Sequence, residues 1–296
     1  MPNPLVTVAM SVHNGMSTLD RAIQSILWQT FADWELIVVN DGSTDQTSNI
    51  LKAVNDPRIH VVHGEEGQKG LATRLNQCIE LAKGKYIARM DADDISYPER
   101  LKRQVQYLEA HPDIDLLGHG AVLFKGDGRI IGVYPTACDH AEICRSPWWG
   151  FPLAHPTWMA TRSWFAVHRY AESLMKGQDQ DLLLRTYRTS RFAALPDVLM
   201  GYRMENISLK KSARGRMNYC RRLFQQVEDV PSARGAARGA LVHALGFARD
   251  LAGKFVGRRF QLSENHRVPI DPQIIQRWNE IWNNDQAMRS GQVIPM

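Results

Sequence analysis

Tyr86-Ile87-Ala88-Arg89-Met90-Asp91-Ala92-Asp93-Asp94 decides the reading of this chain, because an apolar run too short for a helix stops there on three carboxylates. Such a run reads as a buried strand, and the acids as its exposed C-terminal end. In an open parallel α/β sheet, ligands bind just outside the carboxyl ends of the strands, so a polar ligand belongs here. Asp91 and Asp93 are spaced to share one cation. Like charges this close raise each other's pKa unless a positive charge intervenes, and a hard divalent ion bridging to a phosphate supplies it. The plain alternative is a helix cap beside two solvated acids, but Ser96-Tyr97-Pro98-Glu99 already reads as a capping box for the next helix. An EF-hand is disfavoured, since Ile95 and Ser96 stand where that loop needs an oxygen ligand and then Gly.

Upstream, residues 5–12 read as a first strand, followed by Leu19, Ile23, Ile26 and Leu27 at helical spacing behind the caps Ser17 and Thr18. Residues 34–40 form a second strand that ends in Asp41-Gly42-Ser43-Thr44-Asp45. There Ser43 and Gln46 read as a capping box for a helix carrying Ile50, Leu51 and Val54. A short strand at 59–62 precedes a helix with Leu71, Leu75, Cys78, Ile79 and Ala82 on one face, stopped by Gly84. Strands alternating with helices imply right-handed crossovers and a largely parallel sheet. Asp41 and Asp91 to Asp94 would then share one sheet edge and hold the base and phosphate ends of one nucleotide. A dinucleotide-binding G-x-G-x-x-G is absent after the first strand, where Ser11-Val12-His13-Asn14-Gly15 stands, which disfavours a hydride-transfer enzyme.

Downstream, residues 116–124 and 129–134 flank Lys125-Gly126-Asp127-Gly128 and read as a hairpin. The run from Trp148 and Trp149 through His155-Pro156-Thr157 is aromatic and rich in turns. It serves either as a loop stapled by core tryptophans or as an aromatic wall for a sugar ring, since amphipathic rings suit both uses.

The 296 residues, 44% hydrophobic and 23% charged, are ordinary for a soluble globular protein of one α/β domain with an appendage. Met-Pro-Asn-Pro lacks a basic n-region and no apolar stretch reaches eighteen residues, so a cytoplasmic protein is expected. Cys78, Cys138, Cys144 and Cys220 show no C-x-x-C spacing and read as free thiols in a reducing compartment. Charge is uneven: residues 210–259 carry twelve Lys and Arg against three acids, a local +9 in a chain of net +5.

The motifs in order, Ser11-Val12-His13-Asn14, Val39-Asn40-Asp41-Gly42-Ser43-Thr44-Asp45, Arg74, Asp91-Ala92-Asp93-Asp94, His155-Pro156-Thr157 and Gln178-Asp179-Gln180-Asp181-Leu182, resemble the family 2 inverting glycosyltransferases over residues 5–208. The resemblance implies the GT-A fold: a Rossmann-like, mostly parallel sheet with helices on both faces, here with a helical C-terminal extension. It implies a catalytic domain at 1–209 and the extension at 210–296. It further implies that Asp41 contacts the nucleotide base, that Ser11, His13, Asn14 and Arg74 lie near the nucleotide, and that Asp91 contacts ribose or metal. Asp93 is implied to bind the Mn²⁺ or Mg²⁺ that bridges the diphosphate, and Asp179 to be the general base. Gln178 replaces the family's usual Glu, and Glu205 stands where a His near the metal often follows Tyr202-Arg203. Trp148, Trp149, His155 and Gln178 are the candidates for acceptor binding.

The expected activity is metal-dependent, inverting transfer of a sugar from a nucleotide-diphosphate sugar, UDP-linked, to a saccharide or lipid-linked glycan acceptor in surface-polysaccharide assembly. The rivals are a nucleotidyltransferase, which shares the strand-end metal logic, and a non-catalytic nucleotide-sugar-binding or membrane-scaffold protein. In the extension, Leu241, Leu245, Ala248, Ala252 and Phe255 alternate with Arg234, Arg238, Arg249, Lys254, Arg258 and Arg259. A basic amphipathic helix suits the inner, anionic face of a membrane; the alternative is a solvated helix packed on the catalytic domain. Nucleic acid is not expected, because no recognised module accompanies the charge. Asp271-Pro272 opens a last helix with Ile274, Trp278, Ile281 and Trp282 on one side, packed on the core or on a second subunit.

Overall fold

A computed structural model describes residues 3–64, 67–134, 137–205, 209–225, most of 237–246, and 270–289. Strands β1 (Val6–Val12) and β2 (Trp34–Asn40) are buried almost throughout, which is why their sequence is a continuous β-branched run rather than an alternation. They pair in parallel with each other, with β3 (Ile59–His63) beyond β2 and β4 (Tyr86–Asp91) beyond β1. The parallel expectation holds for this half. The other half is mixed: β8 (Met159–Thr161) runs antiparallel to β4 and to β6 (Leu116–Phe124), while β9 (Phe192–Arg203) lies parallel to β6. The described order is β3-β2-β1-β4-β8-β6-β9-β5, where β5 is Ile95–Ser96 and β7 (Ile130–Tyr134) forms the expected hairpin with β6.

Alternate strand residues feed two cores. Val6, Val8, Met10 and Ala88 face helices α1 (Leu19–Leu27) and α4 (Arg100–Ala110), with α2 (Thr47–Ala53) at the edge. Ala9, Ile37 and Ile87 face α3 (Leu71–Leu81), α6 (Arg162–Val167), α7 (Gln178–Thr186) and α8 (Leu209–Gln225). A short helix, α5 (His140–Ile143), lies ahead of the Trp148 loop. A third cluster seats Trp278 and Ile281 of the last helix, α9 (Pro272–Arg289), on Tyr97 and Phe124. Trp278 also donates from Nε1 to the Gly128 carbonyl at 2.7 Å. The last helix therefore packs on the core of its own chain.

Several caps differ from expectation. Thr18 makes no side-chain cap bond. Ser43 does not cap α2: the N-cap is Gln46, without a side-chain cap bond, and the Thr47 amide donates to Asp45 Oδ1 at 3.0 Å. Ser96 does not cap α4, because it is buried in β5, where its amide donates to Ser25 Oγ at 3.0 Å. Gly84 lies past the end of α3 and has a packing reason, since a Cβ there would come within 2.6 Å of the Thr7 nitrogen. Cys78 is fully buried, as expected. Among the described residues no helix is long and apolar enough to cross a membrane. Leu241 and Leu245 are exposed, and the charged positions of the expected basic helix, Arg234 to Arg259, lie outside the described residues.

Candidate active site

Parallel strands bring the ends of β1, β2 and β4 to one edge, where three loops converge. The loop after β1 is stitched to the loop after β2: the Asn14 amide donates to Ser43 Oγ (2.9 Å), Thr44 N to Asn14 Oδ1 (2.8 Å), and Gly15 N to Thr47 Oγ1 (2.8 Å). Asn14 adopts φ 53°, a left-handed conformation that Asn tolerates better than other side chains. His13 Nδ1 donates to the Asp41 carbonyl at 2.8 Å, which leaves Nε2 as the acceptor for Asn14 Nδ2 at 3.2 Å.

Asp41 is buried. Its Oδ1 accepts from the Lys69 amide and from Arg74 Nε, both at 2.7 Å, and its Oδ2 from the Gly70 amide at 2.9 Å. Burial alone would raise this carboxyl, but those bonds and the Arg74 charge hold it below the ordinary carboxylate value. A carboxylate oxygen has two acceptor positions, so Oδ1 is saturated and Oδ2 keeps one.

At the end of β4, carboxylate oxygens of Asp91, Asp93 and Asp94 lie within 4.8 Å of one another. Burial and the Asp91 charge push the Asp93 carboxyl up to about 6. Burial and both neighbours push Asp94 well above the ordinary value, and its Oδ2 is buried without a partner. Two arginines moderate this charge. Arg89, buried, donates from Nη2 to Asp91, while its Nε and Nη1 have no hydrogen-bond partner. Arg203 donates its amide to Asp94 Oδ1 at 2.9 Å and its Nε to the Asp93 carbonyl at 3.0 Å. Crowded hard oxygen donors with one orphaned carboxylate oxygen fit a hard divalent cation such as Mg²⁺ or Mn²⁺. A cleft of about 470 Å³ opens beside them, lined by Ser11, His13, Asn14, Asp91, Asp93 and Glu205. Glu205 is exposed and lies 3.6 Å from Arg203 Nη1.

Across the sheet, α7 starts behind Gly177, whose φ of 77° turns the chain into the helix. Asp179 is in its first turn, where the helix dipole favours a carboxylate. Burial nevertheless raises its carboxyl, against the Gln180 amide and the Arg89 charge, which lower it. Burial raises the Tyr170 and Tyr202 hydroxyls, and the Asp91 and Asp179 charges raise them further. Tyr170 accepts or donates a 2.8 Å bond with His155 Nε2, and its backbone is held on both sides by Asn76 at 3.0 Å. Burial keeps His155 neutral. Asp181 is committed elsewhere, to Arg185 Nε at 3.0 Å and Arg222 Nε at 2.8 Å.

The family described as Glycosyl transferase family 2 matches residues 7–165. The chain belongs to glycosyltransferase family 2. Relatives of this glycosyltransferase include the putative glycosyltransferase EpsE of Bacillus subtilis (strain 168), 35% identical over 191 residues, which span 62% of this chain and 67% of EpsE. The O-antigen biosynthesis glycosyltransferase WbnJ of Escherichia coli is 33% identical over 217 residues, 71% of this chain and 83% of WbnJ. Among solved structures, S. aureus TarS 1–349 in complex with UDP-GlcNAc superposes with a TM-score of 0.63 at 17% identity, covering 97% of this chain and 81% of that one. The mannosyltransferase PcManGT from Pyrobaculum calidifontis, in complex with GDP-Man and Mn²⁺, gives 0.59 at 15% identity, covering 96% and 87%. These likenesses support the GT-A fold expected from the motifs.

In this glycosyltransferase Ser11, His13, Asn14, Asp91, Asp93 and Glu205 line one cleft, while Asp41 and Arg74 form a buried pair behind it. The acceptor candidates separate. Trp149 is 63% exposed, Trp148 packs against the second core, His155 is buried under Tyr170, and Gln178 is buried with Oε1 unpartnered. Sequence patterns assign no role to Arg89, Tyr170, Tyr202 or Arg203, and none to Asp94 apart from its neighbours. Arg89 does carry a signal: a cation inside an apolar strand, two residues before the carboxylates.

Proposed function

We propose that the protein transfers a sugar, with inversion, from a UDP-linked donor to a saccharide or lipid-linked glycan acceptor in the assembly of a surface polysaccharide. One observation carries the reading: the carboxylates of Asp91, Asp93 and Asp94 crowd within 4.8 Å of one another at the end of β4, beside the cleft that Asp91 and Asp93 line. The UDP-GlcNAc complex of TarS and the O-antigen biosynthesis role of WbnJ support the donor and pathway class.

In this reading the nucleotide lies in the cleft after β1, and the buried Asp41–Arg74 pair behind it holds the loop before α3 in place. Asp91 and Asp93, with Asp94 and Glu205 beside them, would hold a divalent cation, which neutralises the departing diphosphate when bound. Arg203 keeps the carboxylate turn in place through its bonds to Asp93 and Asp94. Asp179 takes the proton of the acceptor hydroxyl as that oxygen attacks from the face opposite the diphosphate. Burial raises its carboxyl above the ordinary value, which strengthens it as a base.

Asp179→Asn tests this, because Asn suits a helix start about as well as Asp but accepts no proton. The variant is expected to fold, to bind UDP-sugar as the wild type does, and to lose UDP release from a panel of UDP-sugars, with Mn²⁺ or Mg²⁺, by about 10²-fold or more. Release above about a tenth of the wild-type rate would contradict the assignment. In the wild type, activity should rise with pH through a range above the ordinary carboxylate value, since the base must be ionised and its carboxyl is raised.

A further inference from the structure

Arg89 is a cation in a core position. Strand residues alternate in direction, so Arg89 shares a face of β4 with Ile87 and Asp91. The register sets it beside Ala9 of β1, and Ala9 and Ile87 both belong to the second core. Its side chain is 3% exposed, and a guanidinium stays charged inside a protein. Burying a charge costs stability unless its polar atoms are paired. Here Nη2 donates to Asp91 Oδ1, while Nε and Nη1 have no hydrogen-bond partner among the described residues. A position kept for stability alone would carry an apolar side chain, as its neighbours on this face do. The charge is therefore kept for the carboxylate that Nη2 touches.

The backbone that carries this guanidinium is fixed on both sides. The Arg89 amide donates to the Trp158 carbonyl at 2.8 Å. The Arg89 carbonyl accepts from Nη2 of the fully buried Arg100 at 2.6 Å, and the same Nη2 holds the Pro156 carbonyl at 3.0 Å. The bond to Asp91 thus runs outward from a strand that is held in place. Asp91, with its side chain 25% exposed, is tied to the core at one oxygen and lines the donor cleft. Arg203 acts differently, reaching the turn through its amide, on Asp94, and through Nε, on the Asp93 carbonyl. Of these two arginines, Arg89 is the one that sets its guanidinium on a carboxylate of the cluster by a hydrogen bond.

Charge then decides what the cluster holds. The carboxylates of Asp91, Asp93 and Asp94, within 4.8 Å of one another, would by themselves attract a divalent cation strongly and repel a diphosphate. A guanidinium beside them weakens the first effect and offsets the second. Resting on the reading of this cleft as the donor site, we propose that Arg89 is a positioning residue. It fixes Asp91 at the cleft and offsets its charge, so that the divalent cation is held firmly only in company with the nucleoside diphosphate. A cation arriving alone meets a cluster already partly neutralised, and a diphosphate arriving alone meets carboxylates. Together, each supplies the charge that the other lacks, and the two bind as a pair.

Calorimetric titration of the full chain tests this, with Mn²⁺ alone and with UDP in saturating Mn²⁺. Arg89→Met removes the charge and keeps an unbranched side chain in the core. In that variant Mn²⁺ alone should bind about tenfold or more tightly than in the wild type, and UDP about tenfold or more weakly, the scale of one unit charge close to a partly screened site. Arg89→Lys keeps the charge and should stay within about threefold of the wild type in both titrations. A merely structural role would weaken both ligands together, so opposite shifts are the supporting result. Should Arg89→Met fail to fold, Arg89→Gln removes the same charge and carries the same comparison. Affinities that move in the same direction, that do not move, or that shift as far in the lysine variant overturn the proposal. Failure of the wild type to bind UDP with Mn²⁺ would instead count against the donor reading.

Discussion

Replacing Asp41 by Asn removes one charge and almost no volume, so its cost can be read from the bonds. Asn can place its oxygen at Oδ1 and keep the Lys69 amide and Arg74 Nε, but its NH₂ then faces the Gly70 amide, donor against donor. One lost bond costs about 1 kcal/mol. Most of the loss comes from Arg74, which is 5% exposed and would remain as a buried cation without its counter-charge. Breaking one side of a buried ion pair costs about 3–5 kcal/mol, so a total near 4 kcal/mol is expected. Arg74→Met should cost a similar amount, and the double variant less than the sum by about 1–3 kcal/mol, because it leaves neither charge bare. Urea unfolding of the wild type, both single variants and the double variant, followed by circular dichroism at neutral pH, measures all three. The gap should also depend on pH. The folded Asp41 carboxyl lies below its unfolded value, so its stabilisation is fully present above the ordinary carboxylate pKa. It is lost as pH falls through the folded value, and wild type and variant should converge in acid. A loss below about 1 kcal/mol for Asp41→Asn, or strict additivity in the double variant, would refute the account.

Asp93→Asn should weaken UDP binding in the presence of Mn²⁺ while leaving metal-free binding alone; calorimetric titrations that keep the full metal dependence would remove Asp93 from the cation site. Glu205→His should shift the preference from Mg²⁺ towards softer ions, because imidazole suits them better than a carboxylate does. An unaltered metal series would make Glu205 a bystander. Trp278→Ala should cost about 3–5 kcal/mol for the emptied socket and roughly another 1 kcal/mol for the Gly128 bond, read as a lower urea midpoint; a cost under about 1 kcal/mol would mean that α9 does not hold the core.

The strands and their carboxylate ends were legible because each is a local pattern: a β-branched run followed by a turn rich in Asp and Gly. Caps were not, because tertiary partners competed for the same side chains. Ser96 fits a capping box in sequence, yet pairing of β5 with β9 draws it into the sheet. Asp179 and Asp181 look alike in sequence, and their different fates depend on Arg222, which lies on a different helix. His155 stands within a motif, but only packing shows that it faces Tyr170 rather than open solvent. The acceptor candidates were divided for the same reason, since exposure of one tryptophan and burial of its neighbour depend on how the loop meets α7 and α8.

Helix α9 braces the donor turn from a distance. Trp278 packs tilted against Phe124 with ring centroids 4.6 Å apart, the Arg203 guanidinium lies 4.8 Å above the same ring, and Arg203 holds the backbone and side chain of the carboxylate turn. A Cβ at Gly201 would come within 2.3 Å of the Trp278 ring, so the seat admits that indole and little else. On the ribosome, residues 272–289 emerge after every strand they cover. A nascent chain that has completed its sheet but not yet released this helix would present Tyr97 and Phe124 bare and Arg203 without its support. In chain order, the Trp278 ring that backs Phe124 and Arg203 therefore comes after every strand of the sheet that carries the donor turn.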